Sequence, residues 1–198
     1  MFEAVLSLVA ASALLLGSPG PAPLALAATG ATFGVRAGLP FLAGILCGLA
    51  VAIVGAALGL SALFAAFPKA ALAVQIIGAC YIVFIAYKIA TAAVISAADQ
   101  EESAPSFAQG FILNLLNPKA YAAFFAIFSQ FLLPLDSSVS SYLMTGVVCF
   151  LVALLVDVVW LCLGGVIRPL FAQPKQARLL RVVFAVLMLL SVAWAFWR

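Results

Sequence analysis

Apolar residues fill this chain in long blocks, and charges and turn residues mark where each block ends. A helix needs about 20 apolar residues to cross the ~30 Å hydrocarbon core of a bilayer. Six stretches meet that measure: Ala4–Ala28, Leu39–Phe67, Ala70–Val94, Phe107–Leu135, Tyr142–Ile167 and Leu179–Trp197. The second holds no charge between Arg36 and Lys69, and the third crosses Lys88 near its end. The sixth is short, and its flanking Arg178, Arg181 and Arg198 can snorkel to the interfaces. Two connections are longer than the rest: Ser96–Ser106, with Asp99, Glu101, Glu102 and Pro105, and Arg168–Arg178, with Pro169, Pro174 and Lys175. Neither is long enough to be a domain, so residues 1–198 read as a single transmembrane domain.

Two of the predicted spans are interrupted in the same way. The first carries Gly17-Ser18-Pro19-Gly20-Pro21-Ala22-Pro23, the fourth Asn114-Leu115-Leu116-Asn117-Pro118-Lys119. Proline removes an amide donor and clashes with the preceding turn, so a regular helix cannot pass through. In lipid the freed carbonyls need partners from protein or from a water-filled cavity. Pro19 and Pro118 are 99 residues apart in a chain of 198. The same offset carries the second span onto the fifth, and a slightly larger one carries the third onto the sixth. The pattern predicts an all-α integral membrane protein of two three-helix repeats, about 1–94 and 107–198, joined by a loop at about 95–106. Three is odd, so the second repeat enters from the opposite side and the topology is inverted. Interrupted helices at corresponding places in such halves point to a transporter's midplane site.

Composition agrees. The chain is 68% hydrophobic and 8% charged, with mean hydropathy +1.32, against about 25% charged residues in soluble domains. Its 9 basic and 6 acidic residues form no run of one sign, which argues against nucleic acid as a partner; the basic residues orient the chain in the bilayer. Arg36, Lys88, Arg168, Lys175, Arg178 and Arg181 fall on one side of a six-span arrangement, and Lys69 and Arg198 on the other. The positive-inside rule then places the first, third and fifth loops in the cytoplasm and both termini outside. Ala25-Leu26-Ala27 resembles a signal-peptidase site, but Met1-Phe2-Glu3 supplies no positive region and three prolines interrupt the run, so the segment reads as a permanent span.

Polar residues near the breaks are candidates for chemistry. Asn114, Asn117 and Tyr121 share a helix side by spacing, Lys119 joins them if the helix unwinds at Pro118, and Ser18 holds the matching place in the first half. The competing reading has the asparagines bonding neighbouring helices and Lys119 snorkelling. Asp157, 15 residues after Tyr142 and 11 before Arg168, lies deep in the fifth span. Placing Asp there costs about 2.5–3.5 kcal/mol on insertion scales, and such residues mark ion or proton pathways; the alternatives are an ion pair with Lys119 or a bond to a neighbouring helix. Gly44, Gly48, Gly55 and Gly59 form two G-x-x-x-G pairs, which favour packing inside one chain over a homodimer face. Cys47, Cys80, Cys149 and Cys162 lie apart in apolar stretches and read as small buried hydrophobes, and there is no His.

The motifs also carry a resemblance. Ser18-Pro19-Gly20-Pro21, Arg36-Ala37-Gly38, Tyr81–Lys88 (YIVFIAYK) and Phe111–Ala120 (FILNLLNPKA) occur in that order. Over nearly the whole chain this resembles the lysine exporter (LysE/RhtB-type) translocators of bacteria. The resemblance implies a multi-pass inner-membrane exporter of amino acids or related small metabolites, driven by the proton gradient, with no cofactor and no metal. Two departures stand out. Many members carry an acid after the glycine matched by Gly48, where this chain has Leu49, and the last span lacks the usual glycines. Taken together, the expected substrate site is Ser18, Pro19, Gly20 and Pro21 from one break and Asn114, Asn117, Pro118 and Lys119 from the other, with Asp157 in coupling. A thiol-redox conductor would need a Cys in each broken helix, and a metal exporter would need grouped carboxylates, thiolates or imidazoles; neither set is present. A non-transporting membrane scaffold is the remaining competitor. No nucleophile is paired with a base, so an enzyme is not expected.

Overall fold

The computed structural model describes residues 1–59, 66–91, 104–169 and 174–197. Eight helices make up these residues: α1 (Phe2–Gly17), α2 (Pro21–Phe33), α3 (Val35–Ala57), α4 (Pro68–Thr91), α5 (Phe107–Leu115), α6 (Pro118–Gln130), α7 (Ser138–Ile167) and α8 (Pro174–Trp197). Among the described residues there is no strand. The helices α3 and α7 are long and apolar enough to cross a bilayer; α1–α2 and α5–α6 pass the same test as pairs, bent by 65° and 56°.

Local chemistry sets the boundaries. Pro21 and Pro118 occupy the first positions of α2 and α6, where an amide would have no helical partner anyway. Asn117 caps α6 by accepting from Lys119 N, and Ser106 and Gln109 close a reciprocal capping box on α5. Gly34, at φ +90°, turns α2 directly into α3. Several ends differ from the apolar blocks. The helix α3 begins at Val35 rather than Leu39 and ends at Ala57 rather than Phe67, because Gly59 turns the chain at φ +87°; Gly59 is therefore outside the helix. The long connection after α7 is shorter than the proline pattern implies, since α8 starts at Pro174 and takes in Lys175 and Arg178. Arg181 lies on α8 and is buried, 2% exposed, so it is not a loop charge. Asp99, Glu101, Glu102, Val94 and Arg198 lie outside the described residues.

Helix α2 is the axis of the packing, with every residue from Pro21 to Thr32 buried. Its strongest contact is with α7, and it also touches α3, α4, α5 and α8. Backbones meet where glycines allow it: a Cβ on Gly164 would overlap Ala27 O, and one on Gly30 would overlap Leu161 O. The pair α3–α5 uses the same device, Gly44 against Phe107 O, Gly48 against Phe111 O and Gly110 against Phe41 O. Gly44 and Gly48 thus serve packing inside the chain, as small residues do between membrane helices.

Two apolar clusters result. One surrounds α2 with Leu24, Phe41, Ile82, Leu113, Leu161 and Met188; the other joins α1, α3, α6 and α7 through Leu8, Leu49, Phe124, Ile127, Cys149 and Ala153. Leu14, Val54, Leu143, Leu155 and Val166 point outward and are exposed, an apolar outer surface suited to lipid. The connection after α6 is tied to α7 by side chains: Leu133 N, on its one buried residue, donates to Thr145 Oγ1 at 3.0 Å and Leu135 N to Ser141 Oγ at 3.2 Å.

Candidate functional site

The two helix breaks meet. Lys119 Nζ donates to the carbonyl of Ser18, and the lysine stem runs over Gly20, where an added Cβ would lie 2.8 Å from Cδ and 2.9 Å from Nζ. Glycine at position 20 leaves room for that close approach; its backbone angle is ordinary extended chain.

The prolines decide which carbonyls are left over. In a continuous helix Leu15 O would accept from residue 19 and Gly17 O from residue 21, but Pro19 and Pro21 have no N–H. Ser18 Oγ donates to Leu15 O at 3.1 Å, and Trp160 Nε1 of α7 donates to Gly17 O at 3.2 Å. At the second break Leu115 O loses residue 119, whose amide turns to Asn117 Oδ1, and Tyr121 OH takes its place at 2.7 Å. Protein side chains therefore satisfy these carbonyls, as a membrane interior requires.

Between the breaks, where the two apolar clusters adjoin, lies a cavity of about 30 Å³. Its polar wall is Asn114, Asn117, Lys119 and Asp157, and its apolar wall includes Leu16, Ala22, Pro23, Leu49, Ala120 and Ala153. Asp157 is 6% exposed and Asn114 2%. The Asn114 Nδ2 amide is buried with no hydrogen-bond partner among the described residues; an orphan donor of this kind costs about 1–3 kcal/mol. Lys119 and Asp157 line the same space from α6 and α7.

Of the residues singled out in the sequence, Asn114, Asn117, Lys119 and Asp157 come together in this cavity. Ser18 and Pro19 are exposed, and the Ser18 hydroxyl is turned to its own helix. Gly20 and Pro21 are buried beside the cavity, and Pro118 is half-buried at the head of α6. Leu49, where the family resemblance leads one to expect an acid, lines the same cavity as Asp157. Sequence reasoning missed Trp160; the available signal was its position three residues after Asp157, on the same helix side.

Paired bent helices, apolar enough to span a bilayer, around a cavity lined by a lysine and an aspartate describe a helical membrane protein. The chain matches the family described as LysE type translocator over residues 13–197. It belongs to that family, and is a multi-pass bacterial membrane transporter rather than an enzyme. It is 29% identical to a homoserine/homoserine lactone efflux protein of Salmonella typhimurium, over 96% of this chain and 94% of the relative. A protein of the same description from Salmonella typhi is 28% identical over the same shares. An uncharacterized membrane protein of Pseudomonas aeruginosa is 32% identical over 59% of this chain and 58% of its own. No solved structure shows a significant match.

Proposed function

We propose that this protein is a proton-driven secondary transporter that exports amino acids or closely related small metabolites, with the cavity between the helix breaks as its substrate site. The observation that carries this reading is the enclosure of Lys119, Asp157 and the unpartnered Asn114 amide in one cavity of a LysE type translocator. An ammonium suits a substrate carboxylate, the free amide suits a substrate oxygen, and the buried carboxyl of Asp157 suits proton uptake and release. At about 30 Å³ the cavity has room for about one water, far below the ~300–1,000 Å³ of small-molecule sites. The site must widen to take substrate, as alternating access demands.

The proposed architecture is six spans in two inverted repeats, as one transmembrane domain. Prolines open the corresponding helices of each half, Pro21 and Pro118, then Pro68 and Pro174. Part of the contact pattern supports this reading, α1 with α7 and α5 with α3, α2 with α7 and α6 with α3, whereas the contacts of α2 with α4 and α8 have no counterpart of like strength at α6 among the described residues. With both termini outside, reporter fusions after Gln173 and after Arg198 are expected on opposite sides. The same side for both would remove a span.

Transport is tested in proteoliposomes carrying the full chain, under an imposed proton gradient. Neutral amino acids, homoserine and its lactone are expected to accumulate in the direction opposite to proton flow, with homoserine included because the Salmonella relatives carry that description. Accumulation of divalent metal alone, or of no solute, would overturn the reading.

A further inference from the structure

Two donors from the second half of the chain reach across to the first break. Trp160 Nε1 on α7 takes Gly17 O, and Lys119 Nζ on α6 takes the next carbonyl, Ser18 O. Leu16, which precedes these two residues, lines the cavity, as does Lys119 itself. Pro21 and Pro23 then begin the buried helix α2, so the break is the place where α1 can swing relative to α2. Any widening of the cavity on this side separates the break from α6 and α7, and both bonds must part.

The geometry points to Trp160 and Lys119 as a two-point clasp that pins the α1–α2 break to the second half and keeps the cavity closed. The two donors differ in kind. Among the described residues the indole N–H bonds Gly17 O alone, which makes Trp160 a positioning residue. The ammonium can exchange Ser18 O for a bound anion, so solute entering beside Lys119 weakens one point of the clasp and leaves the other to Trp160. Gly20 belongs to the same device, because a Cβ there meets the lysine stem. The clasp is the same whatever solute the cavity takes, and its test needs none.

Ala153, 3% exposed on the cavity wall, is replaced by Cys in a full-length chain whose four native cysteines are substituted. Ile82, 0% exposed in the cluster around α2, receives the same replacement as a control. Each is treated in membranes with a small membrane-permeant methanethiosulfonate. Trp160→Phe keeps an aromatic ring, though a smaller one, and loses the donor; it is expected to speed labelling of Ala153→Cys about fivefold, the population change worth one net hydrogen bond. Gly20→Ala displaces the flexible end of Lys119 and is expected to act in the same direction. In both variants labelling at Ile82→Cys stays at the parental rate. Unchanged labelling at Ala153→Cys in both variants overturns the clasp, and so does an equal rise at the two positions, which is loosened packing.

Discussion

In proteoliposomes carrying Lys119→Met, export of a carboxylate-bearing amino acid is expected to fall at least about a hundredfold. Methionine preserves much of the stem that packs over Gly20, so membrane abundance should stay near the parental level. The ammonium is lost from two tasks. It no longer meets the substrate carboxylate, and it no longer donates to the Ser18 carbonyl at the first break. A hundredfold fall is about 2.7 kcal/mol. Homoserine lactone, whose carboxyl is tied up as an ester, should lose less than open-chain homoserine. Undiminished export of both would take Lys119 out of the site. An equal loss for both would assign Lys119 to the breaks alone and not to substrate recognition.

Asp157→Asn is expected to abolish gradient-driven accumulation while leaving passive exchange. The amide has nearly the shape of the carboxyl and keeps hydrogen-bonding capacity, but it carries no proton. With Asp157 at 6% exposure beside Lys119, Asn114 and Asn117, the substitution removes the carboxyl that the proposed coupling would load, the one acid among the described residues lining the cavity. The inside-to-outside substrate ratio should then relax to about one under an imposed proton gradient, while counterflow of labelled against unlabelled substrate continues. Accumulation well above one in this variant would assign Asp157 to an ion pair with Lys119 or to helix packing. Loss of counterflow as well would make it a substrate ligand. Leu49 in the same cavity offers a complement: Leu49→Asp in the Asp157→Asn background places a carboxyl on the facing wall, and restored accumulation would mark the cavity, not one helix, as what coupling needs.

Much of the fold was legible because its causes are local. Membrane helices need apolar length, and long apolar blocks supply it. Breaks need residues that cannot donate, and Pro19, Pro21 and Pro118 are such residues wherever the chain places them. The capping chemistry of Ser106 and Gln109 is written within four residues. Helix ends were less legible. In a chain that is 68% hydrophobic the end of an apolar block and the end of a helix are different events. Gly59 ends α3 well short of Phe67 because a left-handed turn, not a change in polarity, stops it. Pro174 starts α8 before Lys175 and Arg178 for the complementary reason, since a proline opens a helix regardless of the charges that follow.

By itself the sequence determined that the chain would lie in lipid, where it would break, and that Asn114, Asn117 and Lys119 would stand at a break. Only the tertiary structure decided who answers the broken backbone. Pro21 orphans Gly17 O by local chemistry, but the donor that reaches it, Trp160, lies 143 residues away, brought in by the glycine contacts between α2 and α7. The same packing sets Asp157 across a cavity from Lys119 and turns Ser18 away to its own helix. It also buries α2 on all sides while α6 keeps exposed residues, an asymmetry that two similar break motifs do not announce. A missing donor is a property of one residue, whereas its replacement is a property of whichever helix packs close enough to supply one.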